Sequence, residues 1–268
     1  MEELPKEINI ILDTYFHYFD LKLPNLIDSF YLYGSITLGA FKNGFSDIDF
    51  IAVVKRDVSD ADVKILKKIH KDVQRKFPNT ILDGWYILNE DIQSINEEGN
   101  LCIRFNDGKY QGLHKFQRNS IDAFQLKKYG ITVKGLNIEK VDISVNWDTL
   151  LSNMRDNLNS YWISWLNNCK KFPTINYLSL FVSLRSIEWG ILGVSRLYYT
   201  FKENDITSKV AAGEYVLGAV PIRWHKIINE SMRLRTDNKK SYYKSIYTRR
   251  KDAIDYVEFM IEECNKLI

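Results

Sequence analysis

Residues 31–54 read YLYGSITLGAFKNGFSDIDFIAVV, and this segment carries the most specific pattern in the chain. An aromatic run rich in strand formers stops at Gly34-Ser35, where a helix is predicted to start. After a loop with two further glycines, the chain enters a second strand through Ser46-Asp47-Ile48-Asp49. Glycine permits a tight turn that leaves backbone N–H groups facing open space, so the segment predicts an anion cradle suited to phosphate.

Asp47 and Asp49 are two residues apart at the start of the second predicted strand. Because strand side chains alternate, both carboxylates lie on one face while Ile48 and Phe50 turn inward. The two charges would repel each other unless a cation bridged them, and Mg²⁺ is commonly held by carboxylates together with substrate phosphates. A Gly-Ser turn or an Asp-x-Asp strand end is ordinary when alone. Their combination predicts a metal–triphosphate site.

The flanking sequence indicates a mixed α/β layer. Apolar residues at helical spacing predict a helix over residues 4–19, and a second helix is predicted to open at Ser59 and to end before Pro78. Period-two and aromatic-rich runs predict strands at residues 30–33, 48–54 and 80–88, with a last strand or edge within residues 127–135. This order predicts a small mixed sheet flanked by helices.

Beyond Trp147 the pattern is helical almost throughout. Helices are predicted near residues 147–168, 174–202, 208–218, 222–234 and 241–267. The change of pattern predicts a mixed α/β domain at 1–145, which carries the candidate site, and an all-α helical-bundle domain at 146–268, and therefore an α+β protein.

Composition excludes several classes of protein. Of the 268 residues, 45% are apolar and 26% are charged, which is incompatible with disorder. The net charge of +3 is too small for a protein that binds nucleic acid with its whole surface. Three well-separated cysteines, an N-terminus unlike a signal peptide and the lack of a long apolar run predict a cytoplasmic protein with no membrane partner.

Gly34-Ser35 followed by Asp47-Ile48-Asp49 resembles the nucleotidyltransferase superfamily with the DNA polymerase β-like core. In that superfamily a third carboxylate stands on a later strand, and the predicted strand TILDGWYIL supplies Asp83 as its only acidic residue. The resemblance implies that all three aspartates are catalytic, with Asp47 and Asp49 as metal ligands and Asp83 as a metal ligand, a base, or both. It also implies that Gly34, Ser35 and Ser46 hold the β/γ end of a triphosphate.

Residues 195–221, SRLYYTFKENDITSKVAAGEYVLGAVP, are similar to the helical domain of the streptomycin/spectinomycin adenylyltransferases. Arg196, Lys209 and Ala211-Ala212 fit that family's pattern, and Val220-Pro221 replaces its usual Leu-Pro. In the family the matching Arg and Lys reach across the interdomain cleft to ATP. The resemblance implies Mg²⁺-dependent transfer of AMP from ATP to an aminoglycoside hydroxyl, with release of pyrophosphate, by an antibiotic-resistance enzyme. A cleft built from two domains of one chain can work without a second copy, so we expect a monomer.

The chain departs from the family at the acceptor site. The third carboxylate is usually Glu, whereas Asp83 is one methylene shorter. Ser186 and Val182 stand where acidic residues hold streptomycin, which favours spectinomycin as the acceptor. Glu188, or Trp162, Trp165 and Trp189, could contact the acceptor in another way. The acidic stretch at Glu90, Asp91, Glu97 and Glu98 could bind a polycation. Asp107, Tyr110 and His114 could line the acceptor pocket.

Two alternatives remain open from the sequence. Residues 232–252, MRLRTDNKKSYYKSIYTRRKD, interleave basic and tyrosine residues, a pattern that can bind single-stranded nucleic acid but also occurs on solvated helix faces. The chain could therefore be a nucleotidyltransferase acting on RNA or protein. It could also be a nucleotide-binding protein without transfer activity, although the three carboxylates argue against that.

Overall fold

The computed structural model describes residues 4–93, 100–236 and 238–267. The chain divides into two compact units, Met1–Asn146 and Trp147–Ile268. Within the described residues no single helix is both long and apolar enough to cross a membrane. One bent pair of helices, Ile175–Val182 with Leu184–Glu203, meets that requirement by length and composition alone.

The first unit is built on one six-stranded sheet. Its strands are β1 (Ile27–Tyr33), β2 (Ile48–Val54), β3 (Leu82–Leu88), β4 (Leu101–Asn106), β5 (Lys109–Lys115) and β6 (Ile131–Lys134). Its helices are α1 (Lys6–Lys22), α2 (Asp60–Lys76), α3 (Asn89–Gln93) and α4 (Ile121–Tyr129). The order is β5-β4-β3-β2-β1-β6, with β2 and β3 parallel and the other neighbours antiparallel. The predicted mixed sheet flanked by helices is confirmed.

One face of the sheet is covered by α1 and α2. The buried side of α1, which includes Ile8, Leu12 and Tyr15, packs with Phe30 and Phe50 of the sheet in one apolar cluster. Helix α2 begins at a reciprocal cap, in which the Ser59 hydroxyl accepts the Asp62 N–H and the Asp62 carboxylate accepts the Ser59 N–H. Because α2 connects the parallel strands β2 and β3, it fixes the pair that carries the acidic residues.

The opposite face is a second apolar cluster. It contains Tyr31, Ile51 and Trp85 from the strands and Ala123 and Leu126 from α4. Since strand side chains alternate, Asp49 shares this face with Ile51, and Asp83 shares it with Trp85. The candidate carboxylates therefore extend a row that begins in a packed core, at the start of β2 and of β3.

The sequence prediction was wrong between the first two strands. No helix follows Gly34-Ser35, since residues 34–39 form successive turns. Gly34, Gly39 and Gly44 have φ of +74°, +62° and +75°, a left-handed conformation that interrupts a right-handed helix. The anion cradle predicted there is thus offered by turns and not by a helix N-terminus.

Residues 100–135 contain more structure than the sequence indicated. The hairpin of β4 and β5 and the helix α4 were missed, whereas the predicted edge strand is β6. The strand β5 is largely exposed and lacks a clean apolar alternation, which is why its pattern gave no strand signal.

The second unit is helical. Its helices are α5 (Trp147–Asn157), α6 (Ile163–Lys170), α7 (Ile175–Val182), α8 (Leu184–Glu203), α9 (Lys209–Leu217), α10 (His225–Met232) and α11 (Ile246–Asn265). Helix α8 packs against α9, α10 and α11 and is the centre of the unit. The single helix predicted over 174–202 is broken at Ser183, whose hydroxyl accepts the Ser186 N–H and caps α8.

A polar network is buried between α1, α2 and the sheet. The Tyr86 hydroxyl lies 2.7 Å from the Tyr15 hydroxyl and 2.8 Å from His70 Nε2, and the His70 ring stacks on Phe105 at 3.7 Å. Burial lowers the pKa of His70 from 6.5 to about 3. The imidazole is therefore neutral in the folded protein at neutral pH.

We predict that His70 makes the first unit sensitive to acid. Below pH 6.5 the unfolded chain binds a proton at this position that the folded chain refuses, so the free energy of unfolding falls as the pH is lowered toward 3. The upper limit is roughly 1.4 kcal/mol per pH unit. Urea denaturation at several pH values should give a shallower pH slope for His70→Gln than for the wild type. Substitution of the exposed His17 by Gln should leave the slope unchanged, and equal slopes for all three proteins would contradict the prediction.

Candidate active site

The parallel pair β2–β3 places two candidate carboxylates side by side. Asp49 and Asp83 occupy the same register position on adjacent strands, which lie roughly 4.8 Å apart in a sheet. Asp47 immediately precedes β2 and is near enough for its charge to act on Asp83. The structure thus brings together the three aspartates that the sequence singled out.

Gly34 lies directly against Asp49. A Cβ at position 34 would stand 1.9 Å from Asp49 Oδ2, and φ at Gly34 is +74°. Both the backbone angle and the lack of space exclude a side chain. The turn after β1 therefore passes over the carboxylate with nothing between them, and a ligand held by the turn's N–H groups would be close to Asp49.

Ser35 follows in the same turn, and its Oγ is buried with no hydrogen-bond partner among the described residues. A buried hydroxyl without a partner costs roughly 1–3 kcal/mol, which a ligand oxygen would recover. The Ser46 hydroxyl, by contrast, accepts a hydrogen bond from the Lys42 N–H at 3.1 Å, which is a contact within the loop before β2. Ser35 is therefore the better supported of the two predicted phosphate contacts.

Asp83 is held by a turn that the sequence reading placed in a loop. Its Oδ1 accepts the N–H of Gly108 at 2.9 Å and its Oδ2 accepts the N–H of Asp107 at 3.0 Å. Burial raises the pKa of Asp83 to about 6, the two N–H groups oppose this rise, and the charges of Asp47 and Asp107 add to it. Asp83 is thus a more basic carboxylate than a solvated one.

Three further residues near the carboxylates were not predicted from the sequence, namely Tyr33, Asp122 and Arg104. Tyr33 ends β1 beside Asp49. Burial raises the pKa of Tyr33 well above 10, the charges of Asp122 and Asp49 raise it further, and the charge of Arg104 opposes the rise. Arg104 lies over the Trp85 ring at 4.9 Å. Its strand was not predicted, so no signal in the sequence placed it here.

The donor set suits a hard divalent cation with a phosphate partner. Among the described residues there is no group of three or more His, Cys, Asp or Glu side chains that could by itself hold a metal ion. Mg²⁺ does not require one, because it commonly takes one or two carboxylates and completes its shell with phosphate oxygens and water. Oxygen donors, a glycine-lined cradle and the orphaned Ser35 hydroxyl fit that mode of binding.

In the helical unit, the predicted cations Arg196 and Lys209 belong to a cluster organised by Glu188. This buried carboxylate lies 2.6 Å from Arg235 Nε and 3.4 Å from Lys209 Nζ. Burial lowers the pKa of Lys209, Glu188 opposes this, and the charges of Arg235 and Arg196 lower it further. Arg235 and Lys209 pair with this one carboxylate, and Arg196 is near enough for its charge to act on Lys209, so the cluster has a local excess of positive charge that suits a polyanion. Arg235 and Glu188 were not predicted in these roles.

The acceptor candidates are scattered. Trp162 stacks on Trp189 at a centroid distance of 4.8 Å, and Trp165 lies 5.4 Å from Trp189, so the tryptophans pack on one another. Asp91 is buried, and its carboxylate accepts a hydrogen bond from the Asn100 side chain. Glu90 and Asp91 follow the C-terminal end of β3, whereas Asp83 lies near its start. Glu97 and Glu98 lie outside the described residues. On β5, His114 is exposed.

Most cations of the basic segment are bound within the helical unit. Arg233 and Arg249 pair with the fully buried Glu230, Arg250 donates to the Cys169 carbonyl, and Lys251 pairs with Asp255. Lys239, Lys240 and Lys244 are exposed. The segment is therefore mainly a structural ion-pair network and not a continuous basic surface for nucleic acid.

Comparison with known proteins agrees with both units. Residues 19–85 match the nucleotidyltransferase domain family, and residues 185–263 match the family described as the aminoglycoside adenylyltransferase C-terminal domain. A spectinomycin 9-adenylyltransferase of Campylobacter jejuni is 22% identical over 289 aligned positions, covering 100% of this chain and 98% of that protein.

A solved structure shares the fold. The spectinomycin adenyltransferase of Enterococcus faecialis, crystallised with ATP and spectinomycin, superposes with a TM-score of 0.67 at 14% identity, covering 93% of this chain and 99% of the other. The paired strands with their acidic residues and the matching domain define a nucleotidyltransferase, and the chain is an enzyme of that class. Its C-terminal half matches the C-terminal domain of the aminoglycoside adenylyltransferases, so both units are similar to that family.

We predict that Gly34→Ala abolishes most of the activity because its methyl group overlaps Asp49 Oδ2. A displacement of about 1 Å of a catalytic group can lower kcat by about 100-fold. Gly39→Ala is the matched control, since φ there is +62° but a Cβ meets nothing within 4 Å. Steady-state kinetics and thermal melts should show a loss of stability in both variants, larger in Gly34→Ala because of the overlap, and loss of activity only in Gly34→Ala. Equal activity losses would indicate backbone strain instead.

Proposed function

We propose that the chain transfers AMP from ATP to a hydroxyl of a spectinomycin-type antibiotic and releases pyrophosphate. The observation that carries the proposal is the placement of Asp49 beside Asp83 and directly under the Gly34 turn. A relative named as a spectinomycin 9-adenylyltransferase aligns over the whole chain, which supports the acceptor class. We propose that the enzyme acts as a monomer in the cytoplasm, where ATP is supplied.

In this proposal Asp47 and Asp49 hold Mg²⁺, which would neutralise charge on the triphosphate when bound. The Gly34 turn, Ser35 and Ser46 position the β/γ end of the triphosphate. Asp83 accepts the proton of the attacking hydroxyl, and its place beside Asp49 also allows it to ligate a cation. Phosphoryl transfer depends on positioning and charge neutralisation, so no covalent nucleophile is required.

Arg196 and Lys209 bind phosphate oxygens of ATP in this scheme. An arginine offers a rigid fork to two oxygens and a lysine offers a compact charge. Glu188 and Arg235 hold Lys209 in place through the ion pairs described above. The clustering of these charges around one buried carboxylate supports a polyanion as their ligand.

The acceptor is proposed to be spectinomycin in preference to streptomycin. The aligned positions for streptomycin-binding acids are Val182, which is 84% exposed, and Ser186, so neither offers a carboxylate. Asp122, whose charge reaches Tyr33 beside Asp49, is a candidate contact for an ammonium group of the acceptor.

The direct test is mass spectrometry of spectinomycin, streptomycin and other aminoglycosides after incubation with the enzyme, ATP and Mg²⁺, with pyrophosphate measured in parallel. We expect adenylated spectinomycin, little modified streptomycin and no product when Mg²⁺ is omitted. Pyrophosphate release without a modified drug would point to another acceptor. The absence of any turnover would favour a nucleotide-binding protein.

We predict that Asp47→Asn and Asp49→Asn each abolish transfer while leaving the melting temperature nearly unchanged. Removing one charge from a crowded set of carboxylates relieves repulsion in the folded protein, so stability is not lost with activity. Enzyme assays and thermal melts check both points. A large drop in melting temperature would instead indicate a structural role for the carboxylate.

We predict that Lys209→Met raises the KM for ATP by about tenfold, the loss expected for one charge-assisted hydrogen bond, with a smaller effect on the KM for the acceptor. Lys202→Met serves as the control because Lys202 is exposed at the end of α8, shortly before Lys209 in the chain. Initial-rate kinetics with each substrate varied in turn separate the two constants. An unchanged KM for ATP in Lys209→Met would remove Lys209 from the proposed triphosphate site.

A further inference from the structure

The turn between β4 and β5 makes an unusual pair of contacts with a candidate catalytic side chain. Its two central residues, Asp107 and Gly108, each donate a backbone N–H to a different oxygen of Asp83, at 3.0 and 2.9 Å. A carboxylate offers about four lone-pair positions, and the turn occupies one on each oxygen. The orientation of the whole Asp83 carboxylate is therefore determined by one turn.

The turn is rigid for reasons that are local to its sequence. Asp107 and Gly108 have φ of +52° and +66°, as a two-residue hairpin turn of this kind requires, and Asn106 pairs with Lys109 on either side of them. The Gln111 side chain donates to the Asn106 carbonyl at 2.9 Å and braces the turn from β5. Only residues that tolerate positive φ can hold both N–H groups in place.

The turn is also anchored to the core. Phe105, the residue before Asn106, is buried and stacks on His70 of α2 at 3.7 Å. Tyr110 follows the turn and lies 4.3 Å under Lys67 Nζ, also on α2. Helix α2 connects β2 to β3, so the element that fixes the strands of Asp49 and Asp83 also fixes the turn that holds Asp83.

We propose that the Asp107–Gly108 turn is a positioning element for catalysis, which acts by clamping the Asp83 carboxylate in one orientation beside Asp49. The inference rests on the proposed function of Asp83 in transfer. The clamp holds a short aspartate at the strand and leaves its remaining lone pairs for the reacting groups. Gly108 contributes through its N–H and its backbone angle alone, since a Cβ there would approach no closer than 3.6 Å to Gln74.

The first test strains the turn without filling space. Gly108→Val disfavours the positive φ, whereas Gly108→Asn tolerates it because Asn visits the left-handed region. We expect Gly108→Val to lower kcat by about tenfold or more, with the KM for ATP within about twofold, and Gly108→Asn to recover most of the wild-type kcat. Gly108→Ala is a milder variant for use where the valine substitution prevents folding.

Gly112 provides the matched control in the same hairpin. It has φ of +104°, and a Cβ there meets nothing within 4 Å. Gly112→Val should cost stability but leave kcat within about twofold of the wild type, because no backbone group of Gly112 contacts Asp83. Equal losses of kcat in Gly108→Val and Gly112→Val would overturn the proposal, since the effect would then come from the hairpin's stability.

A double-mutant cycle separates this inference from the proposed function. Single-turnover assays should show that Gly108→Val causes no further loss when Asp83 is already Asn, because the turn acts only through that carboxylate. Full activity of Asp83→Asn would overturn the role of Asp83 itself. Loss of activity in Asp83→Asn together with full activity in Gly108→Val would overturn the clamp alone.

The contact can also be observed without any turnover. The chain has 13 glycines, so glycine-selective ¹⁵N labelling gives a simple amide spectrum in which Gly108→Asn identifies the Gly108 resonance. In Asp83→Ala the Gly108 amide proton should move upfield and exchange faster with solvent, while that of Gly112 stays in place. An unchanged Gly108 amide would show that the hydrogen bond is absent and would overturn the proposal.

Discussion

The close approach of Gly34 to Asp49 is the constraint around which the first unit is organised. A carboxylate oxygen occupies the place where any other residue would carry its Cβ. This arrangement requires a glycine with positive φ, a strand β1 that ends at Tyr33 and a partner strand β2 whose register brings Asp49 opposite Tyr33. The apolar cores on both faces of the sheet fix that register, because a slip of one residue would turn every strand side chain to the other face.

The parts of the fold that follow from local patterns were predictable. Helices α1 and α2 carry apolar residues at helical spacing, and strand β2 is a short, nearly continuous apolar run. The Ser59 cap marks the start of α2 in the sequence itself. The hairpin β4–β5 was not predictable in the same way. Its outer strand is an exposed edge with little apolar alternation, so the only signal was the Asn-Asp-Gly turn, which indicates a turn without indicating what the turn touches.

A similar division applies to the candidate site. The spacing of Asp47 and Asp49 predicts a common face for their carboxylates. The alignment of Asp83 with Asp49 depends on the register of the parallel strands β2 and β3, which the sequence pattern does not contain. Arg235 and Glu188 are 47 residues apart and meet because α8, which carries Glu188, packs against α10, which ends just before Arg235. The spacing of apolar residues along the sequence does not predict such a long-range contact. The same applies to Arg104, which reaches the site from a strand that the sequence pattern did not reveal.

The shorter carboxylate at position 83 can be understood from its surroundings. A glutamate places its carboxylate further from the strand and has one more rotatable bond to restrain. An aspartate stays close to the backbone, where the N–H groups of Asp107 and Gly108 can reach both oxygens. Burial makes this group more basic, and the two hydrogen bonds limit that effect while fixing its direction. A carboxylate that is held and moderately basic meets two demands on a proton acceptor, so the shorter side chain is compatible with transfer when a turn supplies the restraint.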